Sequence, residues 1–597
     1  MPRVAKTWRL LAHDREAIQN LARALNLPAS VAQLLWNRGS RDSDSAKRFF
    51  DTSLRILHPP ELLPGVEAAA DCLIEAIRAK KRICIYGDYD VDGATGTSIL
   101  WQTFMALGAQ TTFYVPHRLD EGYGLNHRAV EEIAQTCQVL VTVDCGIANV
   151  AEVALARSLG MQVIVTDHHE FAPTLPDATA IVHPLLPGTS YPFAGLSGAG
   201  VALKLAWAIC QRAAGNTRVT PAFREFLLDA VVLACLGLVA DVVPLHDENR
   251  ALVVHGLKRL REVPSPGLKA LLEVSGLAQQ NPLRAEDVSF RLAPRLNAAG
   301  RLGSARLVVE LLTTKSPHRA MELARFLEDL NGRRQLAERR ILARAREIVE
   351  EREWHRSSAL VLAEPDWHPG IIGIVASRLV DLYGRPVLMV ALRADRIKER
   401  VIGQGSGRSV PGFALHQALA ACSEHLISHG GHAAAAGFTV IPDSIDALRD
   451  AFASYADRHF EKSPLIQELI IEAELPLSAL TPGFVRSLDR LEPYGMGNRR
   501  PCFLAGGLQI VEAPKKVGNG ERHLSFRVRQ DNIIFRAIAF GMADRADELP
   551  AGGPCALVFS PRINEWKGMV RVDLEVIDFQ PREIPELACM PAPEVTA

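Results

Sequence analysis

No stretch of this 597-residue chain is apolar for long enough to cross a membrane. The longest strongly apolar run, Ala230 to Ala240, is closed by Asp229 and Asp241, well short of the ~20 residues a spanning helix needs. The N-terminus lacks a secretory core, because Arg9, His13, Asp14 and Arg15 interrupt each apolar stretch. Ten cysteines are scattered with no C-x-x-C spacing, which excludes a zinc ribbon or a disulfide scaffold. Aromatic residues are only 6%. Excess charge of either sign is missing too: Lys+Arg at 67 against Asp+Glu at 68 leaves a net charge of -1. Without a global positive field, any nucleic-acid contact has to come from local grooves. These absences predict a reducing compartment, hence a cytoplasmic protein with no membrane contact. With 48% apolar and 23% charged residues, the composition is that of an ordinary globular protein of several domains.

What is present is an alternation of short apolar strands and helical stretches. Strand patterns at Arg82–Tyr86, Val139–Val143 and Gln162–Thr166 are separated by helix patterns near Gly93 and over Ala148–Ser158. That rhythm predicts βαβ units and a parallel sheet, with ligands at the carboxyl ends of its strands. Residues 1–45 read as a helical lead-in and 46–317 as the first α/β domain. Residues 318–353 read as a long connector helix that Gly332 could interrupt. A second, smaller α/β domain spans 354–462, with a strand at Ala359–Leu362, a helix at Gly370–Leu382, a strand at Pro386–Val390 and Gly-rich loops to about Phe438. Five short strands within 463–582 predict an all-β barrel of OB type. The proline-rich tail, 583–597, is expected to be mobile.

Acids cluster where apolar elements meet loops. Asp88-Tyr-Asp90-Val-Asp92-Gly93 opens like a calcium-binding EF loop, but the twelfth position is Ile99 and a strand stands where a helix belongs. Thr142-Val-Asp144, Asp167-His168-His169 and Ala240-Asp241 follow. A single aspartate at a strand end is usually a cap. Four such segments together, hard oxygens with one or two imidazoles, suit two Mn²⁺ or Mg²⁺ ions and phosphoester hydrolysis. Seven histidines elsewhere (58, 117, 127, 183, 255, 425 and 429) form no zinc spacing and stay unassigned.

These four motifs, in order, resemble those of the DHH phosphoesterase superfamily. Arg295-Leu-Asn297-Ala-Ala-Gly300-Arg301 and Gly430-Gly431-His432 are similar to its branch of single-strand-specific exonucleases, and the resemblance covers about residues 45–580. It implies an α/β DHH catalytic domain, a DHH-associated substrate domain and an OB-like module. It further implies 5′-to-3′ removal of mononucleotides from single-stranded DNA, in recombination and repair. The metal ligands so implied are Asp88, Asp90, Asp92, Asp144, His168 and Asp241, with Asp144 and Asp241 the candidates to bridge. His169 would touch the scissile phosphate or protonate the leaving group, with Asp167 and Asp144 at its side. That His169 only orients a metal ligand is the plainer alternative.

Substrate contacts are expected from Arg118, from Asn297 and Arg301 in a loop, and from Arg378. Ser406 and Arg408 in a Gly/Ser loop, together with His432, complete the set. Arg118, Ser406 and Arg408 would clamp the 5′-terminal phosphate. The arginines between Arg333 and Arg346 read as a solvated, ion-paired helix face. In the barrel, Lys515, Lys516, Arg522, Arg527, Arg529 and Arg536 are interleaved with Phe526 and Phe535, which serve either as stacking platforms or as core. Expected partners are single-stranded DNA, a helicase and a single-strand-binding protein, with the enzyme a monomer. The alternatives are a DHH phosphodiesterase acting on cyclic dinucleotides, short oligonucleotides or pyrophosphate, and a catalytically dead replication scaffold. The intact acids speak against the scaffold.

Overall fold

The structure, a computed structural model, describes residues 6–171, 174–395, 400–462, 467–566, 569–582 and 589–590. The chain divides into two compact units. One is built from His58–Val243 and His255–Gln467; the other gathers Lys6–Leu57, Pro244–Val254 and the chain from Glu468 onward. Among the described residues no helix is long and apolar enough to cross a membrane.

The first unit begins with a five-stranded sheet: β1 (Arg82–Gly87), β2 (Gln110–Tyr114), β3 (Val139–Val143), β4 (Gln162–Thr166) and β5 (Ala180–Val182). The order is β2-β1-β3-β4-β5, all parallel. All five residues of β3 are buried, as expected for a strand covered by helices on both faces. The chain leaves β1 towards β2 and returns on the other side as β3. The carboxyl ends of β1 and β3 therefore border the switch point where open α/β sheets bind ligands. Three helices cover one approach: α1 (Val91–Ala106), α2 (Gly198–Ala214) and α3 (Pro221–Ala240), which pack on one another. Their weakly polar sequences carry little amphipathic contrast because nearly every face of α1 is buried.

Next comes α4 (Ala293–Arg301), entered through a π-helical turn at Val288–Leu292. The segment around Asn297 is thus helix, not the expected loop beside Gly300. Pro294 falls in the first turn, where its missing N–H costs nothing. The connector, α5 (Pro317–Glu351), runs 35 residues without interruption at Gly332. A lone glycine costs only about 1 kcal/mol against alanine, and strong helix formers flank it. Its arginines are paired along the helix, Arg333 with Asp329 at 2.8 Å, Arg334 with Glu338 at 2.8 Å and Arg344 with Glu347 at 3.3 Å.

The second sheet contains β6 (Leu360–Glu364), β7 (Val387–Asp395), β8 (Arg400–Arg408), β9 (Leu426–Gly431) and β10 (Ala435–Val440). Its order is β9-β10-β8-β7-β6, and α6 (Pro369–Tyr383) lies against β7 and β8. The Gly-rich stretch read as loops is therefore strand, and Ser406 and Arg408 sit on β8. Its glycines make room for bulky neighbours: a Cβ on Gly405 would lie 2.2 Å from the Phe438 ring.

In the second unit, β11 (Phe503–Val517), β12 (His523–Gln530), β13 (Ile533–Ala539), β14 (Pro554–Trp566) and β15 (Met569–Gln580) close into a barrel through the β11–β14 pairing. Phe526 is 2% exposed in its core and Phe535 packs against that core, so the core reading holds for both. The N-terminal segment read as a helical lead-in carries three helices, Arg15–Leu25, Ala29–Asn37 and Ser43–Phe50, the last running past residue 45. A strand, Thr7–Leu11, precedes them and pairs in parallel with Glu468–Ile471. Val31, Leu34 and Leu35 of the second helix share the barrel's core. Arg250 ties the unit together by donating to the carbonyls of Phe49 and Leu491 at 3.0 Å and of Glu492 at 2.7 Å. The tail expected to be mobile lies outside the described residues, apart from Cys589–Met590, which pairs with Thr7–Leu11.

Candidate metal centre and phosphate site

Each acid is placed by the element before it. Asp88 follows β1, and its N–H donates to the Val143 carbonyl of the neighbouring strand at 3.1 Å. Asp90 caps α1, its Oδ1 accepting from the amides of Asp92 at 2.8 Å and Gly93 at 3.1 Å. Asp92 lies one residue inside α1 and is buried. Its Oδ1 accepts from Ser197 Oγ at 2.8 Å and Ala199 N at 3.1 Å, its Oδ2 from Gly198 N at 2.6 Å. The start of α2 thus anchors this carboxylate. Asp144 follows β3 with φ at 62°, a left-handed turn that aims its side chain back at the switch point. Asp241 ends α3 rather than a strand. Gly237, one turn earlier, lets that helix approach: a Cβ there would fall 2.3 Å from Asp92 Oδ1.

The six expected ligands converge. His168 Nε2 lies 3.1 Å from Asp144 Oδ1, 3.5 Å from Asp241 Oδ2 and 3.9 Å from Asp92 Oδ2. Two donor groups form, Asp88–Asp90–Asp144 and Asp92–His168–Asp241, each with ligand atoms within 4.8 Å of one another. A third such group is Asp144–His168–His169. Asp144 belongs to two of them and sits beside His168 of the other. Asp88 Oδ1, Asp144 Oδ1 and His168 Nε2 are buried with no hydrogen-bond partner. Burying such atoms unpaired costs about 1–3 kcal/mol apiece. Three together, with lone pairs directed inward, are the arrangement divalent cations satisfy.

The electrostatics agree. Burial, then the neighbouring aspartates, pushes Asp88 and Asp144 well above the usual carboxylate range. The same causes raise Asp92 to about 6 and Asp241 to about 9. Burial, then the His169 charge, drops His168 to about 3, so its imidazole is neutral, as a ligand requires. Oxygen donors with one imidazole suit Mn²⁺ or Mg²⁺.

Asp167 is occupied elsewhere. Its Oδ1 accepts from His168 N at 2.8 Å, His169 N at 3.2 Å and His169 Nδ1 at 2.8 Å, and its Oδ2 from Ile147 N at 3.0 Å. It therefore orients the two histidines. Burial alone would lower His169, but the hydrogen bond to Asp167 together with the charges of Asp167, Asp241 and Asp88 outweighs it and raises the ring to about 9. Tyr123, which sequence reasoning missed, donates to the Asp144 carbonyl at 3.0 Å and lies 3.0 Å from His169 Nδ1. Ser197 was missed as well. Its only sequence signal is a serine ahead of Gly198-Ala-Gly200, the mark of a helix start.

The cations gather beside the acids. Arg118 lies over the Tyr89 ring at 4.8 Å. Arg301 donates to the Gly370 carbonyl at 3.2 Å, while Arg408 donates to Ser406 Oγ at 3.2 Å and to the Gly407 carbonyl at 2.7 Å. These partners are neutral. Burial, then the like charges of Arg118, Arg334 and Arg408, lowers Arg301 to about 10. Burial, then Arg118, lowers Arg408 also. Half-buried cations that repel one another and, among the described residues, bond to neutral oxygens leave donors for an anion. Asn297 Oδ1 accepts from Val91 N at 3.2 Å, joining α4 to the start of α1. The other two expected contacts are engaged with acids. Arg378 pairs with Glu338 of α5, and His432, two-thirds exposed, lies 3.2 Å from Glu170.

The chain matches the DHH family N-terminal domain over residues 82–235, the DHHA1 domain over 356–457 and the RecJ OB domain over 471–578. It is 36% identical over 574 residues to the single-stranded-DNA-specific exonuclease RecJ of Bacillus subtilis, covering 96% of this chain and 70% of that protein. The Thermus thermophilus protein of the same name is 36% identical over 577 residues, covering 96% and 79%. The crystal structure of Thermus thermophilus RecJ in complex with Mn²⁺ superposes with a TM-score of 0.81 at 34% identity, covering 97% of this chain and 80% of that one. Its counterpart with Mg²⁺ gives 0.74 at 32%, covering 97% and 79%. With all three domains in the order the motifs predict, the chain belongs to the RecJ family of DHH proteins.

Proposed function

We propose that this enzyme is a single-strand-specific DNA exonuclease that works from the 5′ end, hydrolyses one phosphodiester at a time and releases 5′-mononucleotides. The observation that carries the reading is the pair of facing groups in one unit: buried acids with orphaned donor atoms, and arginines with neutral partners. Divalent ions held by Asp88, Asp90, Asp92, Asp144, His168 and Asp241 would supply an activated water and neutralise phosphate charge.

The chain's own groups do the rest. Arg118, Arg408 and Ser406 grip the terminal phosphate, and Arg301 extends the positive field towards Asp90. A gripped terminus sets the bond to be cut by distance, which gives one-nucleotide steps. His169, hydrogen-bonded to Asp167, would donate a proton to the departing 3′ oxygen. Two α/β domains meeting through Arg301 and Gly370 support a passage for one strand. The family resemblance supports a cytoplasmic monomer acting in recombination and repair, fed single strands by a helicase, with a single-strand-binding protein as partner.

The test is digestion of matched single-stranded DNA, blunt duplex and a cyclic dinucleotide with Mn²⁺. Loss of the single strand alone is expected. Hydrolysis of the cyclic dinucleotide with DNA untouched would overturn the substrate.

A further inference from the structure

Glu338 of α5 is 5% exposed, and two arginines on different helices share its carboxylate. Its Oε2 accepts from Arg334 Nη1 at 2.8 Å, one turn earlier on α5. Its Oε1 accepts from Arg378 Nε on α6. Asn331, also buried, steadies Arg334 from the other side, its Oδ1 accepting from Nη2 at 2.9 Å. Apolar residues of similar volume would join α5 to α6 as firmly, so stability alone does not account for a buried acid here.

This ion-pair group borders the phosphate grip. Helix α6 starts beside Gly370, whose carbonyl takes Arg301. It lies close against β8, since a Cβ on Gly373 would fall 2.9 Å from Ser406 Oγ and 3.0 Å from Arg408 Nη2. Arg301 ends α4, which packs on α5, and Arg334 is among the like charges that lower Arg301. Glu338 is thus a counter-charge set beside the gathered arginines. It engages Arg334 and Arg378 and leaves Arg118, Arg301 and Arg408 to the substrate. The gripped 5′ phosphate stays on the nucleotide that is cut away. Whatever attracts the end of the strand therefore also retains the product, because charge in a half-buried site acts on both at a distance.

We infer that Glu338 is a positioning residue that sets product release: by engaging Arg334 and Arg378 it limits the positive field at the grip, so that a 5′-mononucleotide leaves and the next phosphate takes its place. Without its charge, one arginine loses its partner and the grip gains a unit of positive charge. The inference rests on the 5′-end reading above.

The test uses the full-length protein with 5′-phosphorylated strands and with a 5′-mononucleotide as inhibitor. Glu338→Gln keeps the volume and removes the charge, and it should lower the inhibitor's Ki about tenfold. Steady-state kcat should fall with it, while the single-turnover rate of the first cut is held. Glu338→Asp keeps the charge and should stay within about twofold of wild type in Ki. The double variant Glu338→Gln with Arg378→Gln leaves no charge unpaired and should return Ki to within about twofold. A raised Ki in Glu338→Gln or in the double variant, or an equal change in Glu338→Asp, would overturn the release role and leave the nuclease reading intact. The double variant decides the matter even if Glu338→Gln alone does not fold. A wild-type enzyme inert on every 5′-phosphorylated strand would instead overturn both.

Discussion

Asp144 Oδ1 and His168 Nε2 stand 3.1 Å apart, yet both are buried atoms without a hydrogen-bond partner. They approach without the N–H alignment that a hydrogen bond requires. The two lone pairs face a common point, one supplied by the end of β3 and the other by the end of β4.

Replacing Asp144 by Asn should therefore separate metal binding from folding. Without metal, the variant should melt at or above the wild-type temperature, because a carboxylate crowded by Asp92, Asp90 and Asp88 has been removed. Added Mn²⁺ should raise the wild-type Tm but leave the variant unmoved. Turnover should fall about 10³-fold, the value of several kcal/mol of lost stabilisation. A fall in metal-free Tm would show that Asp144 serves the fold.

Mn²⁺ affinity should rise with pH. In the metal-free site Asp92 holds its proton up to about 6 and Asp241 up to about 9, each raised by burial and neighbouring carboxylates. Ligands must lose those protons to bind, so falling pH strengthens the competitor. Titration calorimetry in buffers of different ionisation heat should show proton release on binding, with a weaker Kd at pH 6.5 than at pH 8.5. A pH-independent Kd would contradict the assignment.

Asp167→Asn should act through His169. Losing the carboxylate removes the hydrogen bond and the charge that, with Asp241 and Asp88, outweigh burial and hold the ring near 9. The acid form of His169 would then vanish at lower pH, so the alkaline limb of kcat should move down by a unit or more. Activity at pH 8 should drop about 10- to 100-fold, as when an orienting partner is lost. A uniform loss with an unmoved alkaline limb would leave Asp167 a purely structural role.

Arg408→Ala should discriminate between 5′ ends. A charge-assisted contact to phosphate contributes about 1.5–3 kcal/mol, so cleavage of 5′-phosphorylated strands should slow about 10- to 100-fold. Strands with a 5′-hydroxyl should be affected far less. Equal losses on both would remove Arg408 from the terminal grip.

The acids were legible in the sequence because a short, mostly apolar strand fixes where its carboxyl end falls, and Asp88, Asp144 and Asp167 stand just past such ends. Asp241 was legible only as the end of an apolar run, and that run is a helix. Tyr123 and Ser197 were not legible. Each acts through partners about 20 to 105 residues away in sequence, Asp144 for the tyrosine and Asp92 for the serine. Local chemistry misled in two places. Gly300 suggested a loop around Asn297, although that glycine is buried within a helix where its small size is accommodated. Gly403, Gly405 and Gly407 suggested another loop, although on a central strand they clear space for Val390, Phe438 and Leu388. Arg378 and His432 look unengaged in sequence, and only the fold shows Glu338 and Glu170 beside them.

The most direct test of the account follows a 5′-phosphorylated single strand labelled at its 3′ end, digested with Mn²⁺ and resolved by length over time. The account predicts a ladder that shortens by single nucleotides while the label stays on the remaining strand, and no ladder with Asp144→Asn. Immediate release of the label as a mononucleotide would mean attack from the 3′ end and would contradict the account.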